Sequence, residues 1–255
     1  TYCSFKDFHL LGSSNCDNGL RILAGSEIQI ERVFCQQFDD SGFLLERCFM
    51  ITMEQCRAKS CLTNFNFAAK AGVDAEGYNT SIDCRNCYSL DPKINGQGFY
   101  INDMSYSAFT ACGSDMSGTV SNRGRYGYRI GNVSSVAFNG CGAEGSGYSS
   151  FYFEASAALN TGIIAGVKCS LNDCFSVGAD ARGGVGTFGS IYSSLSEETG
   201  GATNSTINVS VKNFTEKDVT GSVSVASTGR EIKHDIRLDN CSFVNNPTGN
   251  TATLQ

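Results

Sequence analysis

The chain has 255 residues, 29 glycines, 2 prolines, 13 cysteines and no tryptophan, and only 17% of it is charged. A net charge of -6 with no basic run makes the chain a poor candidate for binding a phosphate backbone, and apolar runs of only a few residues exclude a transmembrane helix. Abundant Gly, Ser, Thr and Asn with little charge suits many short strands joined by tight polar turns, not a helical protein.

One pattern recurs along the chain: apolar, any, apolar, two further residues, then Cys or another apolar residue. In chain order it reads Phe5 and Phe8; Ile28, Ile30 and Val33; Ile51, Met53 and Cys56; Ile82, Cys84 and Cys87; Phe109 and Cys112. It continues as Val136, Phe138 and Cys141; Cys169, Leu171 and Cys174; Ile207, Val209, Val211 and Phe214; Ile236, Leu238 and Cys241. Copies stand about 23 to 40 residues apart, with a floor near 25, as in a solenoid coil that loops can lengthen but not shorten.

A second pattern, a small residue followed by apolar-any-apolar, follows the earlier copies. It is seen in Gly19-Leu20-Arg21-Ile22, Gly42-Phe43-Leu44-Leu45, Asn64-Phe65-Asn66-Phe67, Gly98-Phe99-Tyr100-Ile101, Gly127-Tyr128-Arg129-Ile130 and Ser150-Phe151-Tyr152-Phe153. Period-two alternation turns the apolar members inward and the middle residue outward. Each coil therefore holds at least two short strands. Stacked coils make continuous parallel sheets around one long interior.

The expected fold is an all-β, right-handed, single-stranded parallel β-helix with coils of about 25 residues. Cys56, Cys87, Cys112, Cys141, Cys174 and Cys241 should form one internal column. The pattern weakens after Glu198: residues 1–198 read as β-helix, and 199–255 as further coils or a small C-terminal β-domain. Patterned sequence reaches both ends, with Thr1-Tyr2-Cys3-Ser4-Phe5 already strand-like in place of a signal peptide, so the chain reads as a piece of a longer protein.

Three groups of residues carry candidate chemistry. Cys84-Arg85-Asn86-Cys87 is a CxxC, but no second CxxC accompanies it and both thiols fall on inward positions. Packing as small hydrophobes is the favoured role, with no metal and no cofactor expected. Asp115 and Glu144 each follow a ladder cysteine by three residues, which in register places them on neighbouring coils. Carboxylates about 5 Å apart suit a retaining glycosidase and wider ones an inverting enzyme; turn capping is the competing role. Tyr100, Arg129 and Tyr152 should share one outward column, with Asn102, Asp103 and Glu154 close by, Glu154 or Asp103 serving as acid or base. Aromatics that stack on sugars and an arginine for acidic sugars suit an oligosaccharide groove; they also suit a subunit interface. A lyase would instead draw on Arg123, Arg125 and Arg129 with Tyr126. His9 and His234 are isolated, with no Ser-His-Asp arrangement.

Val136-Ala137-Phe138-Asn139-Gly140-Cys141-Gly142-Ala143-Glu144-Gly145-Ser146-Gly147, followed by Phe151-Tyr152-Phe153, resembles one coil of a bacteriophage tailspike. So does Ala108-Phe109-Thr110-Ala111-Cys112-Gly113-Ser114-Asp115. These are similar to the pectate-lyase-like right-handed β-helices of phage receptor-binding proteins, over residues 1–195, in coil grammar and not in any active-site motif. The resemblance implies a homotrimer on the virion, assembled in the host cytoplasm. It implies binding, and often cleavage, of bacterial capsular or O-antigen polysaccharide. The readings that follow are a polysaccharide depolymerase working by glycoside hydrolysis, a non-catalytic receptor-binding or shaft module of a tail fibre, and a surface adhesin. Free thiols weigh against the last.

Overall fold

In the computed structural model the period-two segments all become strands, and every strand pairing is parallel. The structure describes residues 2–13, 15–67, 78–117, 123–155, 166–179, 190–195, 206–218, 225–228 and 234–243. The strands are β1 (Cys3–Leu11), β2 (Asn18–Leu23), β3 (Ser26–Gln36), β4 (Ser41–Glu46), β5 (Phe49–Glu54), β6 (Arg57–Lys59), β7 (Thr63–Phe67) and β8 (Asn79–Arg85). They continue as β9 (Tyr88–Leu90), β10 (Gln97–Ile101), β11 (Met104–Thr110), β12 (Gly113–Asp115), β13 (Tyr126–Ile130), β14 (Val133–Asn139), β15 (Gly142–Glu144) and β16 (Ser149–Ala155). The last are β17 (Val167–Asn172), β18 (Phe175–Val177), β19 (Ile191–Leu195), β20 (Ile207–Lys212), β21 (Thr215–Lys217), β22 (Val225–Thr228), β23 (His234–Asp239) and β24 (Ser242–Phe243).

From β5 to β22 each coil has three strands: a main strand such as β8, a three-residue strand such as β9, and a strand of the second sheet such as β10. Each pairs with its own copy one coil away, so three parallel ladders run along the axis. In the first coils β1 and β3 are long enough to span both the main and the short ladder. The step between coils varies: Ile28 pairs with Ile51, 23 residues on, whereas Val167 pairs with Ile207, 40 on. Strands β20 to β24 add to the same ladders. Residues 199–205 and those from 244 onward lie outside the described residues, as do Ser121 and Asn122.

The corner between main and short strands explains the cysteine ladder. At each corner one residue takes a left-handed conformation: Asp7, Arg32, Gln55, Asn86, Ala111, Gly140, Asp173, Asn213 and Asn240 all have φ between 51° and 60°. That single residue turns the chain and aims the next side chain inward. Cys56, Cys87, Cys112, Cys141 and Cys174 occupy that next position and are buried, and Cys241, nearer the end of the stack, is half-buried. Asn and Asp tolerate this conformation better than most residues, and their side chains link successive corners. Asn240 donates to Asn213 at 2.8 Å, and Asn213 donates to Asp173 at 2.8 Å. The backbone is satisfied in both directions: Asn86 N–H donates to the Thr110 carbonyl ahead, and Tyr88 N–H to the Cys56 carbonyl behind.

Within the second sheet an aromatic column faces the short strands. Phe43, Phe65, Phe99, Tyr128 and Phe151 stack with centroid spacings of 4.9, 4.7, 4.7 and 4.8 Å. The spacing is that of neighbouring strands, so parallel register alone puts ring over ring. Tyr128 satisfies its buried hydroxyl by donating to the Cys112 carbonyl at 2.7 Å. The small residue before each ring is there for room: a Cβ on Gly127 would stand 2.5 Å from that of Ala143.

All 13 cysteines are free thiols. Burial pushes the Cys84 and Cys87 thiols well above their usual value, which keeps them protonated and unreactive. Cys3 and Cys16 are exposed, and hydrogen bonding to Ser13 lowers the Cys16 thiol. Native titration with Ellman's reagent should therefore modify Cys16 fastest and Cys3 next, with the ten buried thiols appearing only in denaturant. Rapid native modification of most thiols would contradict the packed ladder. No helix among the described residues is long and apolar enough to cross a membrane.

Candidate active site

The short strands form a face whose outward residues sit immediately after the ladder position and two residues further on. The first outward column runs His9, Phe34, Arg57, Tyr88, Gly113, Gly142 and Phe175. The second runs Gln36, Lys59, Leu90, Asp115, Glu144 and Val177. Asp115 and Glu144 are register partners, side by side on β12 and β15, as their spacing from the cysteines predicts.

The surroundings of this pair are built from a few side chains. Tyr88 lies across Gly113, where a Cβ would meet the ring at 2.4 Å, and Phe175 lies across Gly142, where a Cβ would meet the ring at 2.1 Å. The two glycines thus leave room for aromatic rings beside the carboxylate pair, each ring over the residue two before a carboxylate on the same strand. Burial, and after it the charges of Asp115 and Glu144, raise the Tyr88 hydroxyl above its usual value. Burial pushes the Asp115 carboxyl above the ordinary carboxylate range. The neighbouring Asp91 charge adds to that, and the Arg123 guanidinium pulls partly back. Asp91 is held in its turn by accepting from the Ser117 N–H at 2.8 Å and hydroxyl at 2.9 Å. Arg123 reaches in from the loop before β13 and donates to the Gly145 carbonyl at 3.2 Å. The result is a half-buried acid with a raised proton affinity beside an exposed carboxylate, with two aromatic rings over the neighbouring glycines.

The second-sheet column also forms in the expected register. Tyr100, Arg129 and Tyr152 are successive partners, joined by Tyr192. Arg129 lies 4.9 Å from the Tyr100 ring centre, and Tyr126 stacks on Tyr152 at 4.4 Å. Glu154 is occupied: both its oxygens accept from Arg129, at 2.8 and 3.1 Å, and only 5% of the residue is exposed. A carboxylate locked in a bidentate pair serves as a counter-ion. Arg21 and Glu46 repeat the arrangement at 2.8 Å with the same separation of 25 residues. Asn102 and Asp103, placed on this face by the alternation, do not reach it. Asn102 turns into the corner, accepting from the Asn132 N–H at 3.0 Å and donating to Asp103 at 2.8 Å, and both are buried. The physical reason is that the corner backbone needs polar partners once the strand ends.

Removing Arg129 should leave Glu154 almost fully buried without its cation. We expect Arg129→Ala to cost about 2–3 kcal/mol and Arg129→Ala/Glu154→Ala to recover part of that, measured as a double-mutant cycle in thermal denaturation. Simple additivity would contradict the coupling.

Three features were not read from sequence: Tyr88, Phe175 and Asp91. The signal for the rings was present, because the residue directly after each ladder cysteine faces outward. As for metals, the sulfurs of Cys84, Cys87 and Cys112 lie within 4.8 Å of one another. They sit in the core as rungs of the ladder, where burial favours the neutral thiols of Cys84 and Cys87.

No protein-family model and no curated protein matches the sequence. Solved structures do match. One is the catalytic domain of a GH87 α-1,3-glucanase variant in complex with tetrasaccharides, at 12% identity and a TM-score of 0.60, over 93% of this chain and 44% of that one. Another is the gp42 tailspike of Acinetobacter phage vb_AbaP_AS12, at 14% identity and a TM-score of 0.50, over 95% of this chain and 45% of that one. The chain thus spans less than half the length of either. At these identities the likeness is one of fold: the chain is a parallel β-helix of the kind seen in that tailspike and that glucanase domain.

Proposed function

We propose that the protein is a tailspike-type β-helix that binds bacterial surface polysaccharide and hydrolyses its glycosidic bonds at the Asp115–Glu144 pair. The observation that carries this reading is the register of the two carboxylates on adjacent strands, beside the Tyr88 and Phe175 rings that cover Gly113 and Gly142. Asp115, with its raised proton affinity, is the general acid that protonates the departing oxygen. Glu144, exposed one strand away, is the nucleophile. Neighbouring strands stand about 4.8 Å apart, which suits retention. The rings hold sugar beside the pair, and the Tyr100–Arg129–Tyr152 face is a second contact for the polymer or for a neighbouring subunit. Assembly as a homotrimer and placement on a virion go with the tailspike reading.

The test is release of reducing ends from a panel of capsular and O-antigen polysaccharides, with absorbance near 235 nm followed in parallel. New reducing ends without absorbance support the hydrolase. Growing absorbance would show an unsaturated product and a lyase, with Arg123 beside Asp115 as its cation. Binding without either signal would leave a receptor-binding shaft.

A further inference from the structure

Beyond the carboxylate pair, the same face carries a cleft of about 620 Å³ lined by Arg32, Val33, Phe34, Gln55, Arg57 and Asn86. We infer that this cleft is a subsite for a carboxylate-bearing sugar, with Arg57 as the cation that reads it, so that the substrate is an acidic polysaccharide. This rests on the reading of the short-strand face as the substrate track.

The two arginines of the cleft differ in what they are free to do. Arg32 is occupied, donating to both oxygens of Asp7 at 2.6 and 2.9 Å and pairing with Glu31. Arg57 is exposed and, among the described residues, has no carboxylate partner. Lys59, two residues on along the same strand and half-buried, likewise has no carboxylate partner among the described residues. An unpaired guanidinium in a cleft is preorganised for a planar carboxylate, which it binds through two parallel hydrogen bonds. Gln55 and Asn86 offer amides to hydroxyls at the rim, and Phe34, stacked on His9 at 4.5 Å, offers a flat ring.

Register then places this cleft relative to the chemistry. Arg57 pairs with Tyr88, and Tyr88 with Gly113, on the strand that carries Asp115. Two strand steps are roughly 10 Å. A polymer lying along the axis, with one sugar on Tyr88, would set the next sugar's carboxylate at Arg57. The chain's net charge of -6 gives no general attraction for such a polymer, so its recognition falls to a local cation.

The experiment measures binding to glucuronate-containing capsular polysaccharides and to the same polymers after chemical reduction of their carboxyl groups. It uses the wild type, Arg57→Ala, Arg57→Lys and the Asp115→Asn/Glu144→Gln variant. We expect about tenfold or more tighter binding to an acidic polymer than to its reduced form. Arg57→Ala should erase that difference, Arg57→Lys should restore part of it, and the double carboxylate variant should retain it. Equal binding of both forms, or a preference untouched by Arg57→Ala, would overturn the subsite. The two readings fail separately: an Arg57-dependent preference without cleavage sinks only the hydrolase, and cleavage of neutral glycans indifferent to Arg57 sinks only the subsite.

Discussion

Asp115→Asn and Glu144→Gln should each lower kcat by about 10²- to 10⁴-fold while leaving glycan affinity within about twofold. Both side chains lie on the outer face of three-residue strands and take no part in the core, so the fold survives either change. The two losses should differ in kind. Without Glu144 there is no covalent intermediate, and a small anion such as azide can take its place: Glu144→Ala with azide should give a glycosyl azide. Without Asp115 the leaving oxygen departs unprotonated, so activity should recover on substrates with acidic leaving groups. The pH profile follows from the same assignment. Asp115 must hold its proton to act, and burial raises its affinity above the ordinary carboxylate range. Activity should therefore persist above the pH at which an ordinary carboxyl ionises and fall as pH rises through the raised value. Substitution of Asp91, whose charge adds to the shift, should move that alkaline limb to lower pH. Full activity in both Asp115→Asn and Glu144→Gln would place the chemistry elsewhere.

The largest loss of stability should come from the middle of the aromatic column. Phe99 is fully buried between Phe65 and Tyr128, ring centres 4.7 Å from each, with Phe109 packed edge-on at a centre distance of 6.3 Å. Phe99→Ala removes a ring from a stack that cannot close, because the strands above and below are fixed by their hydrogen bonds. We expect about 3–5 kcal/mol. Tyr100, the next residue, points outward over Arg129. Tyr100→Ala should cost about 1 kcal/mol, mainly its cation–π contact. Denaturant midpoints of the two variants, measured side by side, test the inward and outward assignment at adjacent positions. Similar midpoints would mean that the register of β10 is wrong.

The core was legible in the sequence because it is local. Cys87, Cys112 and Cys141 announce an inward position by recurring after the same apolar alternation, and Phe99 and Tyr128 do so in the second strand. Counting from those cysteines was enough to pair Asp115 with Glu144, since both lie within three residues of a ladder position and no loop intervenes. The outward column of Tyr100, Arg129 and Tyr152 was legible for the same reason. What escaped depended on side chains from different coils meeting. Glu154 reads as a free acid until Arg129, one coil back and two residues out of register, takes both its oxygens. Asn102 and Asp103 read as surface residues because alternation continues on paper after the strand has ended, whereas the corner draws their side chains into its own hydrogen bonds. Asp91 was hidden because it stands one residue past the end of β9, where alternation no longer assigns a side chain to a face.

The most direct test of the paired carboxylates is the stereochemistry of cleavage, followed by proton NMR of the anomeric signals in the first minutes after enzyme is added to a susceptible polysaccharide. Two carboxylates on adjacent parallel strands predict a first product with the anomeric configuration of the bond that was cut, the other anomer growing in only by mutarotation. A first product of opposite configuration would require an acid and a base set further apart than Asp115 and Glu144, and would contradict the assignment.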